Sequence, residues 1–195
     1  QFAVAGGAAA FKVNCSPCHG SGAAGGAGYP NLNDDDWLWG GDLRAIEYTI
    51  THGIRQQAHD KTRMSAMPPY EGVFEPAQLN ELVSHVLSLS GKAPPTAAGA
   101  QIYADNCVVC HGPAGRGDRT QGAPALSDAI WLYGSAREDV ARQVLDPRMG
   151  MMPKWERRLD PVTIKMLAAY VHSLGGGEDF VEVAKDPEIQ VDEQP

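Results

Sequence analysis

The sequence is poor in basic residues and has no long apolar run. Its 195 residues carry 16 Lys and Arg against 24 Asp and Glu, a formal net charge of −8. That balance excludes a nucleic-acid binder, which needs clustered Lys and Arg. It suits docking to a basic protein partner, and equally plain solubility. No stretch approaches the ~20 apolar residues of a membrane span; Ala3 to Phe11 is the nearest and is far too short. No basic-plus-apolar leader is visible at the start, and no stretch alternates well enough to predict a sheet. Cysteine is scarce, with four in all.

All four cysteines fall in one repeated pattern, Cys15-Ser16-Pro17-Cys18-His19 and Cys107-Val108-Val109-Cys110-His111. Two cysteines three positions apart on a helical turn can each form a thioether to one of a haem's two vinyl groups. The histidine that follows then sits under the iron as its proximal ligand. C-x-x-C-H therefore reads as covalent c-type haem attachment. A zinc ribbon pairs its C-x-x-C motifs about 15–20 residues apart, whereas Cys107 comes 92 residues after Cys15. A thioredoxin-type site needs a βαβ pattern that is missing here. Structural disulfides would leave both histidines unexplained. The sequence thus predicts two covalently bound haem c groups, bound by Cys15, Cys18, Cys107 and Cys110, with His19 and His111 as axial ligands. Covalent haem c is attached outside the cytoplasm, so the expected compartment is periplasmic.

The chain is a repeat. Gly7, Ala8, Phe11 and Asn14 align with Gly99, Ala100, Tyr103 and Asn106 at the same offset as the cysteines. Downstream, Trp37-Leu38-Trp39-Gly40 answers Trp131-Leu132-Tyr133-Gly134, and Met67-Pro68 answers Met152-Pro153. The motif order is the same in both halves, which marks a duplicated domain. The expected division is 1–91, a linker at 92–99 containing two prolines, 100–176, and an acidic tail at 177–195. The 22 Gly and 14 Pro imply loop-rich units. Such small units bury little apolar surface alone, and a haem would supply the missing hydrophobic centre.

Each half reads as helical. Thr96 is a predicted N-cap of the helix entering Cys107. Asp160-Pro161 is a cap followed by proline at the first helical position. Leu79, Leu82, Val83, Val86 and Leu89 form one apolar stripe, and Ile164, Leu167, Ala168, Val171 and Leu174 form another. Gly91 and Gly175 stand as stops.

An electron-transferring iron with one histidine needs a second axial ligand, and methionine thioether is the soft choice that raises the potential. Met67 and Met152, each held by a following proline, are the candidates, one per half. His52 and His59 share a loop with Met67, so His59 is a weaker alternative ligand at the first haem. Met149 and Met151 lack the proline. The carbonyls near Pro30 and Pro124 can accept from the proximal histidines. Arg63 and Arg148 are placed to pair with haem propionates, and Trp37 and Trp131 to line the pockets. His85 is expected to pack at a helix crossing, and His172 has no assigned role.

This order of helix, C-x-x-C-H, proline loop, Met-Pro loop and helix is similar to that of class I cytochrome c domains. The resemblance implies an all-α fold of two tandem domains, with Gly7 and Gly99 at the close helix crossing. The segments Gly28–Gly41, Thr49–Arg55, Thr62–Pro68 and Arg148–Trp155 resemble more closely the dihaem subunit (CcoP/FixP family) of cbb-type haem–copper cytochrome c oxidases. That resemblance covers residues 5–176. It implies electron transfer from a donor cytochrome c toward the oxidase's catalytic subunit, with catalytic and monohaem subunits as partners and no reaction of its own. It also implies a place at the periplasmic surface of the inner membrane. Members are normally tethered by an N-terminal transmembrane helix that this sequence does not show. The expectation is therefore either the soluble part of a longer subunit or a free periplasmic relative. The rival readings are a soluble dihaem shuttle, a dihaem peroxidase and a gas sensor; two Met-Pro loops argue against the peroxidase.

Overall fold

A computed structural model of the chain describes residues 1–57 and 59–180, and the tail beyond lies outside the described residues. Among the described residues, eight helices run in the order α1 (Phe2–Asn14), α2 (Ser16–His19), α3 (Leu43–His52), α4 (Pro76–Leu89), α5 (Ala97–Asn106), α6 (Val108–His111), α7 (Arg137–Leu145) and α8 (Pro161–His172). Among the described residues only isolated β-bridges occur, with no named strand. The helix starts follow local chemistry. Asp42 caps α3 by accepting from the amides of Arg44 (2.9 Å) and Ala45 (3.1 Å). Gln78 reaches back to the Glu75 amide (3.0 Å) at the start of α4, with Pro76 at its first position. Thr96 accepts from Gly99 (3.1 Å), and Asp160 from Thr163 (3.0 Å). Each bond satisfies an orphan amide of a first turn.

Two cores form, and they do not coincide with the two halves of the sequence. The first joins Phe11, Ala23, Ile46 and Ile50 to Ile164, Leu167, Ala168 and Val171, so that α8 lies on α1 and α3. The second joins Leu82, Val83, Val86 and Leu87 to Tyr103, Val140 and Val144, so that α4 lies on α5 and α7. The division at 91/100 expected from the repeat therefore does not describe the packing. Each half gives its last helix to the other half's haem motif. Connection length is one reason: only residues 90–96 separate α4 from α5, and short connections place consecutive helices side by side. The repeat is the other, because α4 and α8 carry equivalent apolar stripes, so the pattern of either stripe suits α1 or α5.

The crossings show how tightly these helices fit. A Cβ on Gly7 would run into the Met166 carbonyl, and one on Gly99 into the Glu81 carbonyl. The aromatic partners exchange with the helices. Phe11 packs on Tyr170 with centroids 5.3 Å apart, and Tyr103 on His85 at 5.1 Å. His85 thus does pack at a crossing, opposite the second half's tyrosine.

Candidate haem sites

Each C-x-x-C-H motif is built in the same way. The helix before it ends at the first cysteine, and one short turn, α2 or α6, carries the second cysteine and the histidine. The His19 Nδ1 lies 3.1 Å from the Pro30 carbonyl, and the His111 Nδ1 lies 3.0 Å from that of Pro124. A carbonyl can only accept, so Nδ1 carries the proton and Nε2 keeps its lone pair for a metal. Burial is the main influence on both rings and lowers their pKa, holding them in the neutral, ligating form. None of the four cysteines is joined in a disulfide. Burial first, and the neighbouring cysteine second, push Cys15 and Cys107 up to about 11.

The two Met-Pro loops cross over with the helices. Met152 packs on the first core, as Cys15 does, and Met67 on the second, as Cys107 and Val108 do. The backbone holds both placements. Ile54 and Met152 exchange a pair of amide–carbonyl bonds at 3.0 Å, and the Trp155 amide donates to Ile50 at the end of α3 (3.1 Å). In the equivalent place, the Tyr70 amide donates to Val144 at the end of α7 (3.2 Å), and the Tyr70 hydroxyl donates to Asn106 (3.0 Å). Met67, expected with the first motif, thus packs on the second core, and Met152, expected with the second, packs on the first. His59, the alternative ligand at the first haem, belongs to a different cluster of side chains. Its ring nitrogens face His52 and Lys154 instead.

The remaining expected pocket residues divide. Trp131 packs on the second core, and its indole Nε1 is buried with no protein partner. Trp37 packs on the first core, but its indole donates to the Gly176 carbonyl (2.6 Å) and so pins the C-terminal segment. That segment is held further by Glu178, which accepts from Gly41 (2.7 Å) and pairs with Arg119 (2.8 Å). The start of the acidic tail is thus folded onto the protein; its remainder lies outside the described residues. His172, given no role above, takes part by packing on Gly177 and bonding the Glu178 carbonyl (2.9 Å). Arg63 donates to Thr49 (2.9 Å) and lies over the rings of Tyr48 and Trp39. Arg148 is exposed and covers Tyr133.

Trp39 was not foreseen as a pocket residue. Its Nε1 is buried without a protein partner, and its ring closes on Gly122 in the other half. The signal was its alignment with Tyr133, which reaches Gly28 in the equivalent way. Buried donors with no protein acceptor are rare, and the indoles of Trp39 and Trp131 suit the carboxylates of a haem. With free cysteine pairs and neutral, oriented histidines, this donor set fits haem c.

The comparisons agree with that chemistry. The family model described as "Cytochrome C oxidase, cbb3-type, subunit III" matches residues 2–86 and 94–171. The chain belongs to that family. The cbb3-type subunit FixP of Rhizobium etli is 52% identical over 180 residues, covering 91% of this chain and 63% of the relative. Subunit CcoP of Cereibacter sphaeroides is 52% identical over 183 residues with the same coverage. FixP of Bradyrhizobium sp. is 50% identical over 174 residues, covering 86% of this chain and 60% of the relative. The chain thus spans about 63% of the length of the curated relatives it matches. Among solved structures, a chain of a Kuenenia stuttgartiensis reducing HAO-like protein complex aligns at 18% identity over 87% of this chain and 96% of its own. Its TM-score is 0.24, so it carries no argument. Membership of the cbb3-type subunit III family supports an all-helical cytochrome c fold and covalently bound haem c. Among the described residues, no helix is long and apolar enough to cross a membrane.

Proposed function

We propose that the chain is the two-haem electron-transfer portion of a cbb3-type cytochrome c oxidase subunit. It would receive electrons from a donor cytochrome c on the periplasmic side and pass them toward the catalytic subunit. Cys15 and Cys18 would hold one haem c, with His19 and Met152 as axial ligands. Cys107 and Cys110 would hold the other, with His111 and Met67. The haem supplies reversible one-electron chemistry at iron; the chain supplies ligation, burial and position. The observation that carries this reading is the equivalent construction of the two sites. Each has an oriented histidine, a free cysteine pair and a Met-Pro loop anchored by backbone bonds to the neighbouring helix end.

Two methionine-ligated sites describe a carrier rather than a catalyst, so no bond-making reaction is assigned. Soft thioether ligands raise the potential, which suits a conduit to an oxidase. The relatives are named as subunits of a cbb3-type oxidase, which supports oxidase subunits as partners; the partners proposed are its catalytic and monohaem subunits, at the inner membrane. The attachment would run through those subunits or through an anchor. Purification from native membranes tests the assignment. The protein is expected to carry two haem c per chain and to co-purify with haem b and copper. A single haem, or a chain recovered free of haem b and copper, contradicts it.

A further inference from the structure

We propose that His52, His59 and Glu156 form a binding site for one divalent transition-metal ion of the zinc class, separate from both haem motifs. The three residues come from three segments. His52 ends α3, His59 sits in the loop leading to Met67, and Glu156 follows Met152. Each offers a ligand atom, all within 4.8 Å of one another. His52 Nδ1 and His59 Nε2 face each other at 3.1 Å, and His52 Nδ1 lies 3.7 Å from a Glu156 oxygen. Zinc bonds of about 2.0–2.2 Å set tetrahedral ligand–ligand edges of roughly 3.3–3.6 Å, and the two observed separations bracket that range. Two imidazoles and a carboxylate are the donor set that such ions take, with water completing the shell.

The burial is suited to the task. The imidazole side chains are 15% and 8% exposed, while the carboxylate is 28% exposed. A cleft of about 320 Å³, bordered by Glu47, Thr51, Arg157 and Ile164, reaches Glu156 and gives an ion a way in. Glu156 is held below its ordinary pKa, chiefly by the hydrogen bond from Lys154, and is ionised at neutral pH.

Lys154 is the present cation of this cluster. Its ammonium donates to Glu156 at 3.1 Å and lies 3.4 Å from His59 Nδ1. An ammonium can only donate, so His59 accepts at Nδ1 and directs its Nε2 proton at His52. A metal at Nε2 shifts that proton to Nδ1 and turns the Lys154 ammonium outward. Its side chain is already one-third exposed, at 33%, and its stem is flexible. The ion would then tie the end of α3 to the segments that carry both Met-Pro loops.

Zinc chloride titrated into the haem-loaded protein by calorimetry tests the site. One saturable equivalent is expected. His59→Gln and Glu156→Gln should each weaken it at least tenfold, on the order of or beyond what removal of a supporting contact costs a metal site. Lys154→Gln should tighten it by about tenfold or more, because a like charge leaves the site. An unchanged haem spectrum certifies each variant as folded, and Glu156 and Lys154 are exposed enough to be replaced without loss of the core. The proposal is overturned if no saturable equivalent binds. It is also overturned if binding survives both His59→Gln and Glu156→Gln unchanged, which would place the ion on another histidine.

Discussion

Met152→Ala is expected to abolish the sulfur–iron absorption band of the haem attached at Cys15 and Cys18, leaving that of the other haem intact. The reason is positional. The Met152 side chain packs against the first core, which contains Phe11, and its backbone is tied to Ile54 by two amide–carbonyl bonds. Replacing the thioether removes the soft ligand that favours reduced iron, so the potential of that haem should fall. The loss of a half-buried methionine costs about 2 kcal/mol or more in packing, and the first core should melt earlier. Nuclear magnetic resonance separates the two sites. Haem methyl signals with contacts to Phe11 should shift, and those with contacts to Tyr103 should hold. A shift confined to the Tyr103 side would return Met152 to the second motif.

Gly7→Val is expected to be among the most destabilising single changes in the chain. The added Cβ would meet the Met166 carbonyl and stand 2.7 Å from the Tyr170 Cβ, so backbone must move. Overpacking a close crossing costs about 1–3 kcal/mol, and a backbone clash falls at the upper end or beyond. Gly26→Ala, where a Cβ meets nothing within 4 Å, is the control that should be nearly neutral. A double-mutant cycle read by thermal unfolding identifies the partner. Gly7→Val should couple to Tyr170→Ala by about 0.5–3 kcal/mol and add independently to His85→Ala. Coupling to His85 instead would mean that α1 packs on α4.

Much of this was legible in the residues. Cys15–His19 and Cys107–His111 announced themselves by type and spacing. The caps at Thr96 and Asp160 formed as their side chains dictate, and the two stripes on α4 and α8 became the buried faces of those helices. The exchange of those helices was not legible, because the repeat makes the stripes equivalent and a one-dimensional pattern does not say which partner an apolar face takes. Alignment within each half naturally assigned Met67 to the first motif. What decides otherwise is long-range: the short 90–96 connection and the backbone bonds of Met152 to Ile54 and of Tyr70 to Val144. The Trp37 bond to Gly176 is likewise a contact across most of the chain that no local pattern encodes. His52, His59 and Glu156 were also beyond reach, since Glu156 arrives from the other half.

The central claim is that two haem sites share two interlocked halves, and cutting the chain between α4 and α5 tests it most directly. A site-specific protease sequence placed between Pro94 and Pro95 would allow cleavage of the folded, haem-loaded protein. The fragments should then stay together under native size-exclusion chromatography with both sulfur–iron bands retained, because α8 remains on α1 and α4 on α5. Separation into two smaller bodies, each with one haem and its own sulfur–iron band, would contradict the account.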